Sequence, residues 1–152
     1  MRTRFVSTPL ALLSAALLAA ACRDPAGPTA SSTDDVAVHH ARWDARHLTK
    51  YQYDYKLTGF FIAFAGHQIR VTVINGAVSS AFDVTAGQPM TGPLSTWPTI
   101  DALFDQAERA SDAGLLRAIH YDPTFDYPTQ MDLAGPPDAS GTIFASGLSL
   151  LP

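Results

Sequence analysis

Cysteine is nearly absent: Cys22 is the only one in 152 residues. A single thiol cannot close an intrachain disulfide, so the fold rests on its apolar core. Basic residues are also few, with ten Lys and Arg against fourteen Asp and Glu and no basic cluster. That balance lacks the electrostatic footprint of a nucleic-acid binder, and no nucleic-acid partner is expected. No apolar run reaches the roughly 20 residues that a membrane-spanning helix needs. The signatures G-x-S-x-G and H-E-x-x-H and a phosphate-cradling glycine loop are missing too. No cofactor is implied.

What is present begins with the lone cysteine. Arg2 and Arg4 make a positive start, and an apolar stretch runs from Leu10 to Ala21, broken by Ser14. A short apolar segment ending in small residues has the form of a cleaved signal peptide. The string from Leu17 to Cys22 is LLAAAC, similar to the lipobox of bacterial lipoproteins, with Ala19 where a leucine is usual. Small residues let the chain lie extended in a peptidase groove, and Cys22 offers its thiol to a diacylglycerol. The plainer alternative is a secretory signal cut after Ala21, which leaves Cys22 as an unpaired exported thiol. Arg23 follows, where an aspartate would favour inner-membrane retention, so an outer-membrane anchor facing the periplasm is expected. The expected organisation is a signal over 1–21, a lipidated flexible tether over 22–35 and one domain over 36–152. Losing Arg2 and Arg4 leaves eight basic residues against fourteen acidic, a formal charge of −6.

Within the domain, Asp34 or Asp35 can cap a helix over 36–50 anchored by Trp43 and Leu48. Tyr51, Tyr53, Tyr55 and Leu57 alternate, which predicts a strand over 51–58 with one aromatic face. Ile69, Val71 and Val73 lead into Asn75-Gly76, a pair suited to a two-residue hairpin turn. Counting outward from that turn pairs Ile74 with Ala77, Val73 with Val78, Val71 with Ser80 and Ile69 with Phe82. Residues 87–98 are rich in Pro, Gly and Thr and read as a loop. Thr99 caps a second helix over 100–110, whose Ile100, Leu103, Phe104 and Ala107 form one apolar stripe, with Asp101 in the first turn. Strands are predicted over 115–121, 127–133 and 142–150. The fold class is α+β: a single small domain with an antiparallel β-sheet and two helices packed on it.

Tyr51-x-Tyr53, Val71-x-Val73 before Asn75-Gly76, Thr99-Ile100-Asp101-x-Leu103-Phe104-Asp105 and Tyr121-Asp122-Pro123 before Tyr127-Pro128 occur in that order. Over residues 43–150 this set resembles the family called domain of unknown function 6174, found in exported bacterial proteins and often in lipoproteins. Many members carry Cys-x-Cys after the first strand, where this chain has Gly59 and Phe61. The glycine that often precedes the Tyr-Pro is Asp126 here. The resemblance implies an architecture and no mechanism, because the family has no established activity.

Three groups of residues could carry chemistry. On a helix, His40, Asp44 and His47 fall at i, i+4 and i+7 on one face, beside His39. Imidazole with carboxylate suits Zn²⁺, while the plain reading is a solvated polar face. Asp122 and Asp126 flank a Pro-Thr-Phe turn, with Asp132 and Asp138 beyond. Paired carboxylates can do acid–base work or bind Ca²⁺, but Asp before Pro also simply starts turns. The apolar stretch with Phe60, Phe61 and Phe64 beside the tyrosine face is a candidate surface for a ligand, lipid or protein, or else part of the core. His67 and His120 stand alone, without a nucleophile. The leading expectation is a non-enzymatic envelope lipoprotein. It is held to the membrane by lipid on Cys22 and binds an envelope protein partner or a ligand. The alternatives are a hydrolase using the carboxylates near Asp122 and a weak metal binder.

Overall fold

The tyrosine strand organises the domain. In a computed structural model, residues 33–59, 64–135 and 140–152 are described. Strand β1 (Lys50–Gly59) buries Tyr51, Tyr53 and Tyr55 on one face and turns Gln52, Asp54 and Lys56 to the other. Opposite it, β2 (Gln68–Ile74) places Val73, Val71 and Ile69 against those three tyrosines. Each such aromatic to β-branched pair contributes roughly 0.2–1 kcal/mol beyond an alanine pair.

Strands β3 (Ala77–Asp83), β4 (Gln88–Pro89), β5 (Leu116–Tyr121), β6 (Pro128–Leu133) and β7 (Gly141–Leu150) complete a seven-stranded sheet in the order β4-β3-β2-β1-β7-β6-β5. Every pairing is antiparallel. Two meanders, β1 to β4 and β5 to β7, are thus joined edge to edge by β1 and the C-terminal strand.

Two helices pack on the tyrosine side, as expected for the α+β class. Helix α2 (Ile100–Asp112) buries Ile100, Leu103, Phe104 and Ala107, the predicted stripe. Thr99 is its cap, its hydroxyl accepting from the Ala102 amide at 3.1 Å. Two tyrosines hold this end of the helix. The Tyr51 hydroxyl accepts from the Ile100 amide at 3.0 Å, and the Tyr53 hydroxyl donates to the Pro98 carbonyl. A helix start has unpaired amides, and here one of them is satisfied from the sheet.

Helix α1 (Thr33–Asp44) inserts Val36 and Trp43 into the core, and Trp43 meets Tyr51 edge-on at 5.5 Å. The helix expected over 36–50 therefore starts earlier and stops at Asp44. The chain must reverse there so that Lys50 can pair with Ile74. A turn closed by Arg46 N to Trp43 O and His47 N to Asp44 O makes the reversal, with His47 at φ 50°.

The hairpin also departs from simple counting. Ile74–Ala77 and Val73–Val78 pair as expected, but Thr72 then faces Ser80, Val71 faces Ala81 and Ile69 faces Asp83. Ser79 is an extra residue, a β-bulge, and its hydroxyl donates to the Thr72 carbonyl. One extra residue exchanges the two faces beyond it. Phe82 is therefore 41% exposed and Asp83 only 4%. The predicted loop over 87–98 contains β4, which pairs with the end of β3.

Candidate functional site

The open face of the sheet carries a groove of about 570 Å³, lined by Asp54, Lys56, Gln68, Gln130, Phe144 and Ser146 among others. Pairing aligns these side chains: Asp54 lies opposite Ser146, Lys56 opposite Phe144, and Phe144 opposite Gln130. Two bulges shape it. Strand β7 gains a residue at Gly147-Leu148, with Gly147 at φ 64°, and β6 gains Thr129. Bulges bend a strand and re-aim its side chains, and they recur next to functional sites. Asp54 and Asp122 are the carboxylates of the groove, and Asp54 is held by side chains. Its carboxylate accepts from Arg70 Nε at 2.9 Å and Nη2 at 3.2 Å, and from Gln68 Nε2 at 2.7 Å. That hydrogen bond and charge raise the Arg70 pKa above its ordinary value.

A second constellation lies where α1 meets α2 and the β5–β6 turn. His39 stacks on Tyr121 at 3.7 Å, and His40 stacks on Phe104 at 4.6 Å. Each imidazole touches carboxylates. His39 Nδ1 is 3.1 Å from Asp126, and His40 Nδ1 is 2.9 Å from Glu108. The other nitrogen of His40, Nε2, faces Asp44 at 3.7 Å. Donor atoms of His40, Asp44 and Asp101 all lie within 4.8 Å of one another.

The predicted metal set is thus brought together in part. His40 and Asp44 converge, whereas His47 lies past the end of α1 and loses the helical spacing that placed it with them. It lines a recess of about 470 Å³ with Trp43, Asp44 and Asp101. Asp101 and Glu108 were not singled out as ligands from the sequence. The available signal was their own spacing: Asp101, Asp105 and Glu108 stand at i, i+4 and i+7 on α2.

Asp122 and Asp126 do different work. Asp122 Oδ1 accepts from the amides of Thr124 and Phe125 at 2.8 and 2.7 Å, a turn-forming role. Asp126, at φ 66°, turns its carboxylate to His39, Arg42 and Arg46. Burial pushes its carboxyl up, but hydrogen bonds from Arg46 and His39 and the charges of His39 and Arg42 outweigh that and hold it below the ordinary carboxylate range. Asp132 accepts from Gln130. His67 is not solitary: its Nδ1 lies 2.6 Å from buried Asp83, whose carboxyl is held low chiefly by that bond. His120 points outward on edge strand β5. Phe64 is half-buried against Trp97, ring centres 5.0 Å apart. Cys22, Phe60, Phe61 and Asp138 lie outside the described residues.

An antiparallel seven-stranded sheet with two helices on one side defines a small α+β domain. Residues 35–141 match the profile described as a family of unknown function, DUF6174, and the chain belongs to that family. No curated protein and no solved structure matches it. No described helix is long and apolar enough to cross a membrane.

Proposed function

We propose that this is a lipid-anchored envelope protein whose domain binds a small polar ligand in the groove over β1, β2, β6 and β7, without catalysing its conversion. The carrying observation is the groove itself. Its volume of about 570 Å³ falls in the range of about 300–1,000 Å³ typical of small-molecule sites. Its walls combine two hydrogen-bonded carboxylates, Asp54 and Asp122, an ammonium, amides and hydroxyls with the Phe144 ring, a composition suited to orienting a polar molecule. Against hydrolysis near Asp122, the Asp122 carboxylate is engaged by two backbone amides and that of Asp126 by basic side chains. The anchor rests on the basic start, the short apolar run and Cys22. We place the protein on the periplasmic side of the outer membrane, within reach of envelope protein partners.

The test is crosslinking in native membranes, followed by mass spectrometry of what copurifies, for the natural chain and for Ser146→Arg. A stoichiometric small molecule that the arginine variant loses supports the groove. No small molecule, or equal recovery from both chains, refutes it. Stoichiometric capture of a protein alone would instead make the domain a protein-interaction module. Cys22→Ser should move the chain from the membrane to the soluble fraction.

A further inference from the structure

The pairing of His40 with both a carboxylate behind it and two carboxylates in front of it has a chemical consequence. A carboxylate only accepts hydrogen bonds, so at Nδ1, 2.9 Å from Glu108, the imidazole carries its proton. In the neutral ring Nε2 then presents a lone pair. That lone pair faces Asp44 Oδ1 at 3.7 Å, and an Asp101 oxygen completes a group spanning no more than 4.8 Å. Three potential ligand atoms converge here. A cation placed between them would be met by all three.

We propose that His40 Nε2, Asp44 and Asp101 bind one divalent zinc-like ion between α1 and α2. Glu108 is the group that orients the histidine. The His40–Asp44 pair is near the spacing a metal needs, and an ion would draw in the rest of a group that spans up to 4.8 Å. Ligands about 2.0–2.2 Å from a tetrahedral Zn²⁺ lie about 3.4 Å apart, against the 3.7 Å of the His40–Asp44 pair. A metal-bound histidine characteristically donates its other N–H to a carboxylate, which fixes the tautomer and raises ligand basicity. Glu108 stands in that place, and stacking on Phe104 at 4.6 Å holds the ring plane. Asp101 is likewise steadied, since the Trp43 indole N–H donates to its Oδ1 at 3.2 Å. The mixed nitrogen and oxygen donors favour zinc over calcium or magnesium, which take oxygen. Among the described residues this group supplies three ligands. The fourth position opens on the recess that Asp44 and Asp101 share with His47, so water or a small anion can complete the ion's shell.

The experiment is a calorimetric titration of the full chain, purified without a histidine tag and stripped with chelator, using zinc chloride alone. Trp43 fluorescence is followed in parallel, because the indole is bonded to a proposed ligand. One-to-one binding is expected, with a Trp43 signal that saturates at the same stoichiometry. Asp44→Asn and Asp101→Asn should each weaken binding at least tenfold, and Glu108→Gln by about 10–100-fold. Asp44 is 60% exposed, and asparagine at 101 can still accept from Trp43, so both variants should fold. Calcium should bind at least tenfold more weakly than zinc. The proposal is overturned by the absence of saturable zinc binding up to the millimolar range. It is also overturned if both asparagine variants bind as the natural chain does, or if calcium binds as tightly as zinc.

Discussion

His39 Nδ1 and Asp126 Oδ1 lie 3.1 Å apart although 87 residues separate them. The contact ties the middle of α1 to the β5–β6 turn, and Arg46 Nη2 reaches the other carboxylate oxygen, also at 3.1 Å. Asp126 holds φ 66°, a conformation that glycine, asparagine and aspartate adopt most readily. Aspartate tolerates this backbone and adds a charge.

Asp126→Ala and Asp126→Gly both remove that charge, but only alanine adds backbone strain. Alanine should therefore be the less stable of the two by about 1–2 kcal/mol, as read from urea unfolding. Because the Asp126 carboxyl is held low in the folded protein, its contribution is fully present above the ordinary carboxylate pKa. It is lost as pH falls through the lower folded value. The gap between the natural chain and Asp126→Asn should accordingly close in acid, below about pH 4.

His67→Ala should destabilise the domain at neutral pH, by an amount that shrinks in acid. The hydrogen bond from His67 is the main reason that Asp83 titrates below its ordinary value. Without it the folded-state pKa rises toward the unfolded one, so Asp83 contributes less stability above the ordinary carboxylate pKa and less of it is lost as pH falls. Urea unfolding at neutral pH and below about pH 4 would show the gap between variant and natural chain closing in acid, and a gap that does not shrink would contradict the coupling.

Tyr51→Phe keeps the ring in the core but removes the acceptor of the buried Ile100 amide. Leaving such a donor unpaired costs about 1–3 kcal/mol. Thermal unfolding should show the loss. A smaller one is expected for Leu94→Ala, whose side chain is 38% exposed.

Gly141→Ala tests the junction of the two meanders. A β-carbon there would lie 2.7 Å from the Thr58 carbonyl oxygen, closer than atoms approach without a backbone shift. Destabilisation by about 1–3 kcal/mol is expected. Gly66→Ala meets no atoms within 4 Å, though its φ of 84° adds strain of its own. The two variants therefore separate collision from conformational cost when their unfolding curves are compared.

Much of the fold was legible because its signals are local. The alternation of Tyr51, Tyr53 and Tyr55 defined β1, Asn75-Gly76 defined a turn, and the spacing of Ile100, Leu103, Phe104 and Ala107 defined the buried face of α2. The cap at Thr99 followed from residue type. The hairpin register beyond Val73 did not, because Ser79 carries no mark of being an extra residue. The bulge exists so that Asp83, rather than Phe82, faces inward and meets His67.

The candidate sites were legible only in fragments. Residue types and helical spacing picked out His40 and Asp44, yet the same spacing misplaced His47, because α1 must end for β1 to begin. Asp126 was noticed, but its partners on α1 and in the turn after it lie at least 80 residues earlier in the chain. By itself the sequence determined the class of the domain and its two amphipathic faces. These depend on periodicity and on neighbours a few residues apart. Only the tertiary structure decided which charges meet and where the groove opens. Those follow from strand order, bulges and helix docking, which juxtapose residues that no local pattern connects.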